Sequence, residues 1–284
     1  MSKKQICASC LDFSIDKVVK SKEDKKPTWL LKTDHVRNFI TNTTDFRNKI
    51  PNKYDVILKL NIGHKHAGKK ILYWAADNKS NKNLKIEDAF KAYNNFKNNG
   101  ITSVSKNGDV VIKFCCPQVY RAQKTLKSKP HTYFRHLHFV ISDKAKKTWN
   151  PQIYTKIVVC KYDFNKTMEL LNSNHCILLN TLPCEYYAKD HIPGSYNLPH
   201  TNIKRMSQVQ LTKWITDLVS LHYPSLAKLL KNKSITVKEL PIVTYCAHKK
   251  CNSSEIALEE LMRKGFVNVN EYDGGMRDYK KHMK

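Results

Sequence analysis

The sequence predicts a two-domain chain, in which a β-rich α+β region precedes an α/β domain built on a parallel sheet. Three observations predict this. Near the C-terminus, the apolar run Pro241-Ile242-Val243-Thr244-Tyr245 leads through Cys246 and a short polar stretch into a helical segment and then another short strand. Such a β–α–β crossover requires parallel strands. The first half instead carries several alternating runs and an Asn-Gly turn. Charge divides the chain the same way: of the net +26, +21 falls in residues 1–162 and +5 in 163–284.

Taken in order, residues 1–28 are polar and charged, with lysines from Lys17 to Lys26, and read as a flexible basic arm closed by Pro27. An α+β domain follows from residue 29. Tyr54–Leu60 alternates as a strand, and Lys70–Ala76 reads as a second. Ile86–Asn98 predicts a helix with Ala89, Phe90, Tyr93 and Phe96 on one side and Gly100 after it. Asn107-Gly108 signals a hairpin before Val110–Phe114, and Arg135–Ile141 and Ile153–Cys160 read as further strands.

In the second half, Phe164–Leu171 is the expected entry helix and His175–Leu179 an early strand. A helix over about Ser207–Leu221 points Leu211, Ile215, Leu218 and Val219 inward. The helix after Cys246 is expected from about Glu255 to Lys264, capped by Ser253 or Ser254, with Ala257, Leu258, Leu261 and Met262 on its apolar face and Gly265 as its stop. Gly274-Gly275 forms a turn before the last helix. Cys246 thus stands where loop N–H groups and a helix N-terminus converge, an arrangement that favours a thiolate.

The segment Tyr186-Tyr187-Ala188-Lys189-Asp190-His191-Ile192-Pro193-Gly194-Ser195-Tyr196-Asn197-Leu198-Pro199 resembles the "EYxxGHIPGAxNIP" signature of rhodanese-like domains. Tyr245-Cys246, Gly265–Val269 and Tyr272-Asp273-Gly274-Gly275-Met276-Arg277-Asp278-Tyr279 are similar to that family's active-site strand, helix end and closing "GGxxxW" segment. Three motifs in the right order carry the resemblance over residues 163–284 and leave 1–162 outside it. It places the domain boundary near Tyr162 and implies a central parallel sheet flanked by helices. It also implies sulfurtransferase activity, in which Cys246 cycles between thiolate and persulfide while sulfane sulfur passes from an anionic donor to a thiol acceptor, with no cofactor and no metal.

Around Cys246, the expected substrate-binding loop is Ala247, His248, Lys249, Lys250, Asn252, Ser253 and Ser254, the cations drawing in anionic donors such as thiosulfate. Cys251 occupies the place of the family's loop arginine. Without that arginine the loop lacks the bidentate clamp of phosphatase-like relatives. Cys251 is a candidate resolving thiol, and a Cys246/Cys251 thiol–disulfide switch is a second reading. The family's Asp-x-Arg becomes Asn180-Thr181-Leu182, and its glycine before His-Ile-Pro-Gly becomes Asp190. These departures keep open a third reading, a non-catalytic binding module. His191 reads as a residue that fixes its turn.

The basic first domain is an expected RNA or DNA binder, its lysines interleaved with Trp29, Tyr54, Tyr73, Trp74, Phe90, Tyr93, Phe96, Tyr133 and Phe134. The spacings of His131, His136 and His138, of His64 and His66, and of Cys7, Cys10, Cys115 and Cys116 match no zinc motif. No apolar run approaches membrane-spanning length, and the start lacks a signal core, so the expected location is cytoplasmic, with most of the nine cysteines reduced. Lys- and Asn-rich usage suggests an AT-rich genome, such as that of a parasite or a large DNA virus.

Overall fold

A computed structural model describes residues 18–20, 35–78, 84–123, 127 and 129–284. Trp29, Cys7, Cys10 and almost all of the expected basic arm lie outside them. The chain divides into two compact units, with Val158 ending the first and Val159 opening the second.

The first unit is mainly antiparallel. Its five-stranded sheet has the order β1 (Val18–Lys20), β10 (Tyr154–Ile157), β9 (His136–Ile141), β3 (Lys70–Ala75), β5 (Asn99–Ser103). Every adjacent pair runs antiparallel. Strand β9 is buried at all six positions and β3 at its last five, as expected for central strands covered on both faces. Strands β2 (Val56–Asn61) and β6 (Asp109–Phe114) pair antiparallel as a separate ribbon. Strand β2 shows strict alternation between half-buried and exposed positions.

Two expectations for this unit fail for local reasons. The helix predicted over Ile86–Asn98 shrinks to α2 (Ala89–Tyr93), capped by the Asp88 side chain. Asn94 and Asn95 adopt positive φ of 41° and 54°, which breaks the helical ladder, and Phe90 is 62% exposed rather than inward. Gly100 stops no helix: it lies in β5, where a Cβ would collide with the Tyr73 ring. The Asn107-Gly108 turn forms, with the Gly108 N–H donating to the Ser105 carbonyl at 3.1 Å. The strands it joins pair elsewhere, β5 with β3 and β6 with β2, so no hairpin ladder results.

The second unit is α/β. Its sheet, in the order β12 (Tyr196–Asn197), β11 (Ile177–Asn180), β13 (Ile242–Tyr245), β14 (Val269–Tyr272), is parallel throughout. Strands β11, β13 and β14 are buried at every position. Helix α3 (Phe164–Asn172) is capped by Asp163. Helix α6 (Gln208–His222) starts with a reciprocal capping box between Ser207 and Gln210 and buries Leu211, Ile215, Leu218 and Val219. Helix α8 (Ser253–Arg263) buries Ala257, Leu258, Leu261 and Met262. It ends in Schellman geometry: Gly265 (φ +87°) donates to Met262 and Phe266 donates to Leu261. The expected start at Glu255 is two residues late, because Ser253 and Ser254 are the first helical residues and the cap position, Asn252, makes no side-chain bond.

Candidate active site

Four parallel strands bring their carboxyl ends to one edge of the sheet, and Cys246 follows the inner strand β13 there. This is where loops of open α/β sheets gather polar groups. Two of the recognised motifs hold the strand end. The Tyr245 hydroxyl accepts the Ile192 N–H at 3.0 Å and meets Ser195 Oγ at 2.8 Å. The His191–Ser195 turn is thereby tied to the residue before Cys246. His191 itself bonds through Nδ1 to the Tyr187 carbonyl at 3.0 Å and stacks on that ring.

The closing Gly-Gly segment holds the loop from another direction. Helix α9 (Gly275–His282) sets its first N–H groups on the loop: Met276 donates to the Cys246 carbonyl and Arg277 to the Ala247 carbonyl, each at 2.9 Å. Gly275 has φ +61°, and a Cβ there would collide with the Cys246 carbonyl. Glycine is needed on both counts.

The sulfur environment divides unequally between the two loop cysteines. Cys246 is 1% exposed. Its Sγ lies 3.3 Å from the Cys251 carbonyl and 3.9 Å from the His248 carbonyl. Burial pushes its pKa above the ordinary thiol value, and the Cys251 side chain adds to this against hydrogen bonds from Ser254. Cys251 is half-buried. Burial opposes its thiolate too, but hydrogen bonds from the Cys246 thiol, from the Ser253 hydroxyl and amide, and from the Ala247 amide outweigh that and lower its pKa. The convergence of amides expected at Cys246 therefore serves mainly Cys251. The reason is a turn: the Cys251 N–H bonds back to the His248 carbonyl at 2.8 Å, folding Cys251 onto the loop it follows.

A buried carboxylate lies behind Cys246. Ser254 Oγ is 2.7 Å from Glu271 Oε1 and 3.3 Å from Cys246 Sγ. One hydroxyl proton cannot serve both, and the shorter, charge-assisted bond to the carboxylate is the stronger. Glu271 is 3% exposed, and Lys161 pairs with its other oxygen at 3.2 Å. Sequence reading missed Glu271 and Lys161. The available signal was a glutamate inside a short strand of a sheet that buries both faces, a place where charge needs a partner.

Of the remaining loop residues, Lys249, Lys250 and Asn252 are exposed, Ala247 and His248 half-buried, and Ser253 and Ser254 buried. In the first unit, the proposed stacking aromatics are mostly core. Tyr73, Trp74, Tyr133 and Phe134 are 0% exposed, whereas Tyr54 and Phe90 reach the surface. His136 and His138 are buried with ring centroids 4.7 Å apart, while His131 is exposed. His64 and His66 lie in a 3-10 turn, not on an alternating strand. Among the described residues, no group of three or more histidines, cysteines or carboxylates could hold a metal ion. Cys116 and Cys160 are disulfide-bonded, and Cys115, Cys176, Cys184, Cys246 and Cys251 are free thiols. No helix among the described residues is long and apolar enough to cross a membrane.

The second unit is thus an α/β domain with a cysteine loop at the carboxyl edge of its parallel sheet. Residues 164–282 match the family model of the rhodanese-like domain, and this part of the chain is a rhodanese-like domain. Similar solved structures include the BH2092 protein of Bacillus halodurans, 20% identical over 43% of this chain and 72% of that one, with a TM-score of 0.31. A human single-domain sulfurtransferase is 20% identical over 43% of this chain and 95% of its own, also at 0.31. A Saccharomyces cerevisiae single-domain sulfurtransferase is 16% identical over 44% and 91%, at 0.29. No curated protein matches the chain.

Proposed function

We propose that the rhodanese-like domain is a sulfurtransferase in which Cys246 carries sulfane sulfur as a persulfide and passes it to a thiol or another nucleophile. The reading is supported above all by the placement of Cys246: it follows an inner strand of the parallel sheet, its carbonyl is held by Met276, and its sulfur lies 3.3 Å from Ser254 Oγ. Cys246–SH attacks the outer sulfur of an anionic donor such as thiosulfate, the S–S bond of the donor breaks, and sulfite leaves. The thiol proton is released to solvent as the new S–S bond forms. Lys249 and Lys250, exposed on the loop, raise the local concentration of anionic donor.

The experiment is turnover of thiosulfate with cyanide as acceptor, followed by thiocyanate formation. Wild-type protein forms thiocyanate and Cys246→Ser does not. Equal rates in the two proteins would reject Cys246 as the carrier. The first half adds a separate proposal, carried by its charge of +21: it holds RNA or DNA by contacts to phosphate. Binding that weakens steeply with salt is expected, and salt-independent binding, or none at low salt, removes it.

A further inference from the structure

We propose that Cys251 is the intramolecular resolving thiol for the sulfur on Cys246, so that the loop releases hydrosulfide and closes a Cys246–Cys251 disulfide. This rests on the reading of Cys246 as sulfur carrier and gives that carrier an acceptor within its own loop. Cys246 Sγ lies 3.3 Å from the Cys251 carbonyl, which brings the two cysteines together within one loop. The His248–Cys251 turn fixes this approach, through the Cys251 N–H bond to the His248 carbonyl at 2.8 Å. The Ser253 and Ala247 amides and the Ser253 hydroxyl, 3.5 Å from Cys251 Sγ, surround the second sulfur. They favour negative charge on it when it attacks. Cys251 is also the more exposed of the pair, so an external thiol has access to the disulfide once it has formed.

The chemistry balances in two steps. First, Cys246–SH and thiosulfate give Cys246–S–S⁻, sulfite and a proton released to solvent. The Cys246 sulfur bonds the donor's outer sulfur as the donor's S–S bond breaks. Second, Cys251 sulfur attacks the inner sulfur of the persulfide, its proton passes to the outer sulfur, and hydrosulfide leaves. Two thiols are oxidised to one disulfide while one sulfane sulfur is reduced to hydrosulfide. A further round needs a thiol reductant, which attacks the disulfide and returns both cysteines.

The test is a single turnover of the reduced full chain with thiosulfate and no reductant. Hydrosulfide is measured beside peptide mapping of the loop, in wild type, Cys251→Ser and Cys246→Ser. The expected result for wild type is about one hydrosulfide per chain and a mapped Cys246–Cys251 disulfide. Cys251→Ser is expected to keep one extra sulfur on Cys246 and to release hydrosulfide at least about 10-fold more slowly. A stable persulfide on Cys246 of wild-type protein, with no disulfide, overturns the proposal and leaves the carrier reading standing. Sulfur uptake by neither wild type nor Cys251→Ser overturns the carrier reading and the proposal together. The wild-type map decides the matter even if a variant fails to fold.

Discussion

The two units both bury polar side chains in their central sheets, yet they place them differently. In the antiparallel sheet of the first unit, His136 and His138 are the first and third residues of strand β9. Tyr120 lies 3.0 Å from His136 Nε2, the Phe134 carbonyl 2.6 Å from His136 Nδ1, and Thr155 Oγ1 2.9 Å from His138 Nδ1. In the second unit, Cys246 and Cys251 lie beyond the end of parallel strand β13 and Ser254 in the first turn of the helix that follows, with Glu271 next to last in β14. The two histidines are enclosed by their own sheet and stabilise one arrangement of the core. Cys246 instead meets a loop and two helix starts beyond the carboxyl end of a parallel sheet, where reactants of open α/β sheets bind. Burial alone therefore does not mark the proposed sulfur carrier; the loop beside it does.

The largest expected effect lies at the strand end. Cys246→Ser is expected to lower sulfur transfer at least about 1000-fold, as for loss of a nucleophile, while leaving thermal stability nearly unchanged. A matching loss of folded protein would show Cys246 to be a core residue like His138 and erase the contrast between the units.

Acid should act on the buried β9 histidines instead. Burial lowers the His136 pKa from 6.5 to about 4, and burial likewise holds His138 well below its ordinary value. The unfolded chain therefore binds these protons more readily than the folded one. Stability from keeping His136 neutral is complete above about pH 6.5 and is lost as pH falls toward 4, at most about 3 kcal/mol for this residue. Hydrogen exchange of β3 and β9 amides across that range measures it. A His136→Phe variant whose β9 protection falls with acid as in wild type would assign the loss to other groups.

Glu271 lies between the two classes, being both buried and next to Cys246. In Glu271→Gln the Lys161 ion pair is lost at a cost of about 1–3 kcal/mol. Removing the carboxylate charge weakens its hold on the Ser254 hydroxyl and lifts a repulsion on the neighbouring thiolate, so the Cys246 thiol should ionise at lower pH. The pH profile of Cys246 alkylation reads this directly, and a profile shifted upward or not at all would separate Glu271 from the sulfur. The smallest effect is expected from Tyr245→Phe, which leaves the buried Ile192 N–H without its acceptor and costs about 1–2 kcal/mol in denaturant unfolding. A neutral result would show that the His191–Ser195 turn holds without Tyr245.

Much of the second unit was legible in the sequence, because its strands are short apolar runs and its helices carry caps and stops at readable positions. Ser207, Gly265 and the inward face of α6 are examples. The first unit was less legible where backbone conformation overrode pattern. Periodicity from Ala89 to Phe96 cannot reveal that Asn94 and Asn95 turn left-handed, nor can an Asn-Gly turn say which sheet each flanking strand will join. At the candidate site, the residue types were readable but the division of hydrogen bonds was not. Ser253 and Ser254 look like helix caps, and only the fold shows their hydroxyls turned to Cys251, Cys246 and Glu271. Glu271 acquires meaning only through Lys161, which is distant in sequence.

The most direct measurement is the location of sulfur after brief thiosulfate treatment of Cys251→Ser protein, in which resolution is blocked, by acid quench and peptide mapping. One additional sulfur on Cys246 and none on the other mapped cysteines is the predicted result. Sulfur on another cysteine, or on none, would contradict the assignment of Cys246 as the sulfur carrier.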